Sequence, residues 1–234
     1  AAEMNAGMAR AGFRRSHDIV YRPVCPGCSA CVPVRVPVAD FAGSRTQRRL
    51  IRRNGDLTLS AAPARATVEQ YRIFQAYQAA RHRDSDMRRM GLADFAGMVN
   101  ENRVDSVLYE ARDGAGRLHA CLLADRLDDG LSAVYSFFDP AFPRQSLGTW
   151  LILALIAEAR RLGLPHVYLG YWIADSRKMA YKGRFQPLEA LGHDGWVRIA
   201  PPPPDPAVMV DPVPDWTEPD DYPDLFELER EITD

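Results

Sequence analysis

Residues 134–187 read VYSFFDPAFPRQSLGTWLILALIAEARRLGLPHVYLGYWIADSRKMAYKGRFQP. The stretch opens as a buried strand, passes through a loop holding one glycine, and enters a long helix over Ser146–Leu162 that Gly163 stops. A second strand follows over Pro165–Tyr171, and then a basic-aromatic run.

The residues upstream extend this pattern. Val104–Ala111, Leu118–Leu127 and Leu131–Phe138 read as strands, separated by the turn signals Asp113-Gly114-Ala115-Gly116 and Asp128-Asp129-Gly130, which predicts an antiparallel meander. Two helices precede it. In the first, Thr67 stands as N-cap with Gln70 at the capping-box position, and Tyr71, Phe74 and Tyr77 form an apolar stripe. The second is Leu92–Asn100. Two helices, three strands, a helix and a strand make the order of an α+β, GNAT-like acyltransferase domain, expected over residues 63–199.

Residues 1–62 are expected to form a smaller α+β region around a cysteine knuckle. A helix over residues 1–11 ends at Gly12, a strand runs through Ile19–Val24, and Val32–Val38 is a strand whose prolines suggest an edge position. Between these strands lies Cys25-Pro26-Gly27-Cys28-Ser29-Ala30-Cys31. Residues 45–53, RTQRRLIRR, predict a helix with a mostly cationic surface, ended by Asn54-Gly55.

The net charge of −2 conceals a division. From Ala200 to Asp234 there are eleven acidic residues and one arginine, so the rest of the chain carries a net +8. A body of that sign suits an anionic partner such as RNA. The Pro-rich acidic segment, 200–234, lacks the apolar residues for a core and is expected to be disordered or to lie along the surface. No apolar run reaches the roughly 18 residues of a membrane span. Cysteines two apart are poorly placed to bridge each other, and only Cys121 lies elsewhere, inside an apolar strand where it reads as core. The thiols therefore suggest a reducing, cytoplasmic compartment.

The motifs GFRRS (12–16), YRPVCPGCSACVPVRV (21–36), RH (81–82), YSFFDP (135–140), SLGTWLIL (146–153) and PHVYLGYWIADSRKMAYKGRFQP (165–187) together resemble the bacterial aminoacyl-tRNA–protein transferases of the arginyl-transferase type, nearest the aspartate/glutamate leucyltransferase subfamily. The resemblance spans nearly the whole chain up to Pro187. It implies transfer of leucine from leucyl-tRNA to the α-amine of proteins beginning with Asp or Glu, which marks them for degradation. The partners implied are leucyl-tRNA and those proteins, with neither DNA nor membrane. No cofactor is required, because the aminoacyl-tRNA is a co-substrate. Alternatives are an arginyl-tRNA donor, a CoA-dependent N-acetyltransferase, and a non-catalytic RNA-binding module. Arg-Gln-Ser-Leu-Gly-Thr has one glycine where a CoA-binding loop usually has two, which weighs against the acetyltransferase.

Aminolysis of an ester needs a placed amine, a donor for the oxyanion and a proton for the departing ribose hydroxyl. Ser146, Gly148 and Thr149 stand at a helix start, where backbone amides are natural donors, although a plain N-cap by Ser146 accounts for the same residues. Tyr135 is a candidate to bind the adenine or the aminoacyl group, whereas Phe137, on the same strand face, reads equally as core. Asp139, just past a strand end, is a candidate base or a turn cap. Substrate contacts are expected from Arg14, Arg15, Tyr21 and Arg22 beside the knuckle, from Arg81 and His82, from Tyr171 and Trp172 as stacking platforms, and from Ser176, Lys178, Tyr181 and Lys182. For Cys25, Cys28 and Cys31 the alternatives are zinc, an iron–sulfur cluster as linked to arginyl relatives, or three reduced thiols in a tight turn.

Overall fold

In the computed structural model, residues 2–82, 85–100, 103–142, 146–176 and 178–200 are described. Ten strands and five α-helices run in the order α1 (Ala2–Arg10), β1 (Arg14–Ser16), β2 (Ile19–Tyr21), β3 (Val32–Pro37), α2 (Arg45–Arg53), β4 (Thr58–Pro63), α3 (Val68–Arg81), α4 (Leu92–Asn100), β5 (Ser106–Arg112), β6 (Leu118–Leu127), β7 (Gly130–Phe138), α5 (Leu147–Arg161), β8 (His166–Trp172), β9 (Leu188–Gly192) and β10 (Gly195–Ile199), with 3-10 turns at Asp86–Arg89 and Ala180–Arg184. β1 and β2 form a small hairpin. The other eight strands make one sheet in the order β10-β9-β3-β8-β7-β6-β5-β4. Residues 1–62 and 63–199 thus contribute to the same sheet. The acidic segment after Ala200 lies outside the described residues.

Local signals explain the helices. At the start of α3, Thr67 accepts from the Gln70 backbone N–H while the Gln70 side chain accepts from the Thr67 N–H, so both orphan donors are satisfied. Ser44 and Gln47 do the same for α2. That helix needs the cap. Like charges four residues apart cost roughly 0.2–0.5 kcal/mol each, and Arg45–Arg49, Arg48–Arg52 and Arg49–Arg53 are all such pairs, with no acid in the helix.

Alternation along the strands divides the core between the two faces of the sheet. Val107, Tyr109 and Ala111 of β5 and Ala120, Leu122 and Ala124 of β6 pack with Leu151, Leu155 and Ile156 of α5. Leu108, Cys121, Leu123 and Phe137 point the other way, onto Tyr71 and Phe74 of α3 and Phe95 of α4. Cys121 is a fully buried core residue, as expected, and burial raises its thiol pKa.

The edge position expected for β3 is incorrect, since the strand lies inside the sheet. It pairs with β8 along its length but meets β9 only at Val34 and Arg35. Pro33 and Pro37 fall outside that short ladder and need donate nothing across it.

The feature that positions the site is the join between β7 and β8. They pair in parallel over three registers only, Gly130–His166 to Ser132–Tyr168, and then separate. An extra residue in β7, between the Leu123–Tyr135 and Ala124–Ala133 pairs, bends the strand just past the separation. The result is a wedge at the centre of the sheet whose two walls carry unpaired backbone groups.

A candidate active site in the wedge between two parting strands

Two cations fill the wedge. Arg14 donates from Nη2 to the Ala133 carbonyl at 2.6 Å and from Nη1 to Ser132 Oγ at 3.3 Å, both on the β7 wall. Lys182 donates from Nζ to the Tyr171 carbonyl at 2.6 Å, on the β8 wall. These acceptors are neutral. Among the described residues neither cation has a carboxylate within ion-pair distance. Burial draws the Arg14 guanidinium below its ordinary value, and the same cause, followed by the charge of Arg14, brings Lys182 from 10.5 down to about 7.

The geometry depends on Gly170. Its φ is +79°, and a Cβ there would lie 2.6 Å from Arg14 Cζ. A side chain at this position would meet both backbone strain and the guanidinium. Sequence reasoning missed this residue, although an isolated glycine inside the strand pattern His-Val-Tyr-Leu-Gly-Tyr-Trp is a signal for close approach. Aromatic residues enclose the cations. The Tyr171 hydroxyl faces the carbonyls of Gly12 at 2.9 Å and Tyr21 at 3.1 Å, and the Tyr21 ring lies 6.0 Å from that of Tyr171. Arg22 is exposed, close enough for its charge to act on Tyr171. Tyr181, half-buried in the strap over residues 173–187, is raised by burial and lowered by Arg14.

The opposite wall joins β7 to the ends of α3 and α5. Phe138 lies 4.8 Å from the Tyr77 ring and beneath Arg81, whose guanidinium carbon is 5.7 Å from the ring centre. The same ring faces Gly148, where a Cβ would approach it to 3.2 Å, so the start of α5 sits directly against the end of β7. His82 caps α3 and lies 3.3 Å from the Tyr77 hydroxyl. Burial lowers its pKa first, then the charges of Lys178 and Arg81. Lys178 itself is exposed, and its charge acts on His82 at the end of α3. Ser176 turns the strap, its carbonyl accepting from the N–H groups of Met179 and Ala180. Trp172 packs onto the α5 side, with a buried Nε1 that has no partner among the described residues.

Several expectations are corrected here. Ser146 does not cap α5 with its side chain; it sits at φ 45°, and its carbonyl accepts from Trp150. The first amides of the helix, at Leu147, Gly148 and Thr149, therefore receive nothing from the Ser146 side chain. Arg15 points away from the wedge, into the core. It makes a buried bidentate pair with Asp125 at 2.8 and 2.7 Å, with Ser106 joining both. Tyr135 faces the α3–α4 core beside Phe74 and Phe137, and its hydroxyl accepts from Gln78 Nε2 at 2.5 Å. Asp139 pairs with Arg117 at 3.1 Å and caps the turn at Ala141, which matches the turn-cap alternative for this residue.

The knuckle offers no assembled metal site. Cys25 and Cys28 are exposed, Cys31 is half-buried, and the Cys28 N–H closes a tight turn onto the Cys25 carbonyl at 3.1 Å. Among the described residues no group of three or more His, Cys, Asp or Glu side chains is placed to hold a metal ion.

A pH prediction arises from Lys182. With a folded value of about 7 against an ordinary 10.5, the unfolded chain binds more protons at this residue between those pH values. The contribution of Lys182 to stability therefore rises with pH across that window. Lys182→Met is expected to remove this component, seen as a flatter rise in urea midpoint from pH 7 to 10 than in the parent protein. Parallel curves would contradict the assignment.

Comparisons with known proteins bear on this arrangement. Residues 69–192 match the family model described as arginine-tRNA-protein transferase, C terminus, and residues 1–49 match its N-terminal counterpart. The chain is 56% identical over 201 residues to the aspartate/glutamate leucyltransferase of Paramagnetospirillum magneticum, covering 86% of this chain and 82% of that one. It is 56% identical to the protein of the same name from Gluconacetobacter diazotrophicus, covering 85% and 76%, and 52% identical to that of Rhodospirillum rubrum, covering 84% and 80%. Among solved structures, the C-terminal domain of a putative lysylphosphatidylglycerol synthetase from Agrobacterium fabrum superposes with a TM-score of 0.52 at 16% identity, over 80% of this chain and 64% of that one. L-PGS from Bacillus licheniformis gives 0.50 at 9% identity, over 63% and 47%. At these identities the likeness is one of fold, and the fold is the GNAT-like α+β arrangement expected from the order of strands and helices.

Proposed function

The chain belongs to the arginine-tRNA-protein transferase family, and on that premise we propose that it transfers leucine from leucyl-tRNA to the α-amine of proteins whose first residue is Asp or Glu. It is an aminoacyltransferase similar to proteins named aspartate/glutamate leucyltransferase, and the two matched family segments, residues 1–49 and 69–192, contain Arg14 and Lys182. The observation that carries the acceptor class is the pair Arg14 and Lys182, two half-buried cations held on neutral carbonyls with no carboxylate within ion-pair distance among the described residues. Such a pair favours an incoming carboxylate, which would make charge-assisted hydrogen bonds there. Burial brings Lys182 down to about 7, and an arriving carboxylate would favour its charged form.

In this reading the acidic side chain sits in the wedge and the adjacent α-amine is directed toward the start of α5, which packs against the end of β7. The nitrogen attacks the ester carbonyl carbon. The new C–N bond forms an amide, the ester C–O bond breaks, and the ribose hydroxyl leaves with the proton that the amine gives up. The amides at Leu147, Gly148 and Thr149 are the natural donors to the oxyanion. An α-amine has a pKa near 8, so a fraction of it is already the free base at neutral pH and positioning supplies most of what the reaction needs. Charged tRNA is a cytoplasmic co-substrate, and we place the protein there. Among the described residues no helix is long and apolar enough to cross a membrane.

Incubation with labelled leucyl-tRNA and peptides beginning Asp, Glu, Lys or Ala tests the reading. Transfer is expected to the Asp and Glu peptides, with no more than a slow background reaction at the Ala peptide. Transfer to the Lys peptide, a preference for arginyl-tRNA, or reaction with acetyl-CoA in place of tRNA would overturn it.

A further inference from the structure

The helix α2 is not used by the chemistry above. Its buried side is narrow, Gln47 and Leu50, with Leu50 in the core that α5 shares. At 100° per residue, Arg45, Arg48, Arg49, Arg52 and Arg53 fall on one continuous arc opposite that side. They form two rows at four-residue spacing, so neighbours in a row are about 6 Å apart along the axis. All five residues are exposed. Among the described residues Arg45, Arg48, Arg49 and Arg52 join no ion pair; Arg48 instead donates to the Gly43 carbonyl at 2.7 Å. A helix that only packed against α5 would not need to concentrate like charges on its outer face.

The helix is also fastened to the active site. Gln47 Nε2 donates to the Arg184 carbonyl at 3.0 Å, and Phe41 stacks on Phe185, so the start of α2 is locked to the strap that carries Tyr181 and Lys182. A groove of about 410 Å³ opens at this junction, between Asp40–Gln47 and Arg184–Pro187. Asp40, the acidic residue that lines the groove, is paired with Arg198.

From this we propose that the arginine face of α2, with the groove at its N-terminal end, docks the phosphate backbone of the donor RNA and leads its aminoacylated end toward the wedge. The inference rests on the transferase reading. It adds a surface outside the reacting centre that sets affinity for the body of the RNA and not the choice of acceptor. Phosphate contacts of this kind position an RNA without reading its sequence, and each neutralised phosphate contributes roughly 0.7–0.9 to the slope of log affinity against log salt.

The test compares the full chain with Arg45→Ala/Arg49→Ala/Arg52→Ala, using equilibrium binding of uncharged tRNA at several salt concentrations and transfer from two donors, leucyl-tRNA and a short leucylated oligonucleotide ending in CCA. The variant is expected to keep the circular dichroism and urea midpoint of the parent, to bind tRNA about tenfold more weakly near physiological salt, and to show a salt slope smaller by about 2. Its KM for leucyl-tRNA should rise in step, while kcat and KM with the short donor stay unchanged. The corresponding triple Lys variant should keep most of the salt slope, since a point charge suffices for a phosphate. An unchanged Kd and slope would overturn the proposal, and a tightened Kd would do so by pointing to another occupant of α2. If the parent protein transferred from neither donor, the transferase reading would fail instead, and the binding comparison would still judge the surface.

Discussion

Arg14→Met is expected to lower kcat/KM for an Asp-initiated peptide by about a hundredfold while leaving the slow background reaction of an Ala-initiated peptide almost unchanged. A hydrogen bond to a charged group contributes about 1.5–3 kcal/mol, and that range corresponds to roughly 10- to 150-fold. Arg14 is the fixed charge of the wedge, because a guanidinium stays protonated where Lys182 does not. The loss should appear first in the KM of the peptide, since the contact is to a part of the acceptor that does not react. Removing Arg14 also removes one of the two causes that lower Lys182, so the pH dependence of peptide binding should move upward in the variant. Arg14→Lys should recover only part of the loss, because an ammonium cannot reproduce the planar fork that reaches Ala133 and Ser132 together. Steady-state kinetics with matched Asp, Glu and Ala peptides provides the measurement. An equal loss for all three would show that Arg14 only holds the split sheet together, and the assignment of acceptor specificity to it would fall.

Its neighbour should behave in the opposite way. Arg15→Met is expected to cost about 3–5 kcal/mol of stability, because it leaves Asp125 buried with only the Ser106 hydroxyl for company. The two side chains are 5% and 2% exposed, so water cannot replace the lost partner. Against a total of roughly 5–15 kcal/mol for a domain, a loss of that size brings the chain close to its unfolding threshold. The urea midpoint should fall accordingly. Whatever variant remains folded should keep the peptide selectivity of the parent. The double replacement Arg15→Met/Asp125→Leu should regain most of the midpoint, since it removes the stranded charge together with its partner. A stable Arg15→Met protein that lost transfer would place Arg15 in the substrate site after all.

These two arginines mark how far the sequence could be read. Gly-Phe-Arg-Arg-Ser identified a basic pair, and successive residues on a strand point to opposite faces. Which face is the wedge depends on Ser132, Ala133 and Asp125, more than a hundred residues away. Lys182 was legible as a candidate. That it lies half-buried beside Arg14 was not, because Tyr171 and Arg14 reach it from separate parts of the chain. Tyr135 on its strand face and Asp139 just past the strand end had equally suggestive positions, and the structure pairs them with Gln78 and Arg117.

The sequence by itself determined the elements whose causes are local. Thr67 and Gln70 start α3, Gly163 ends α5, and turns at Asp113–Gly116 and Asp128–Gly130 make the meander. It also carried, through its motifs, the family to which the chain belongs. Only the tertiary structure decided that β3 lies inside the sheet, that β9 and β10 extend it, and that β7 and β8 part after three registers. Strand pairing between distant segments leaves little trace in either segment alone, because the hydrogen bonds are made by backbone groups that every residue shares. The division of labour between Arg14 and Arg15 follows from that pairing: one side chain falls in the gap it opens and the other in the core it closes.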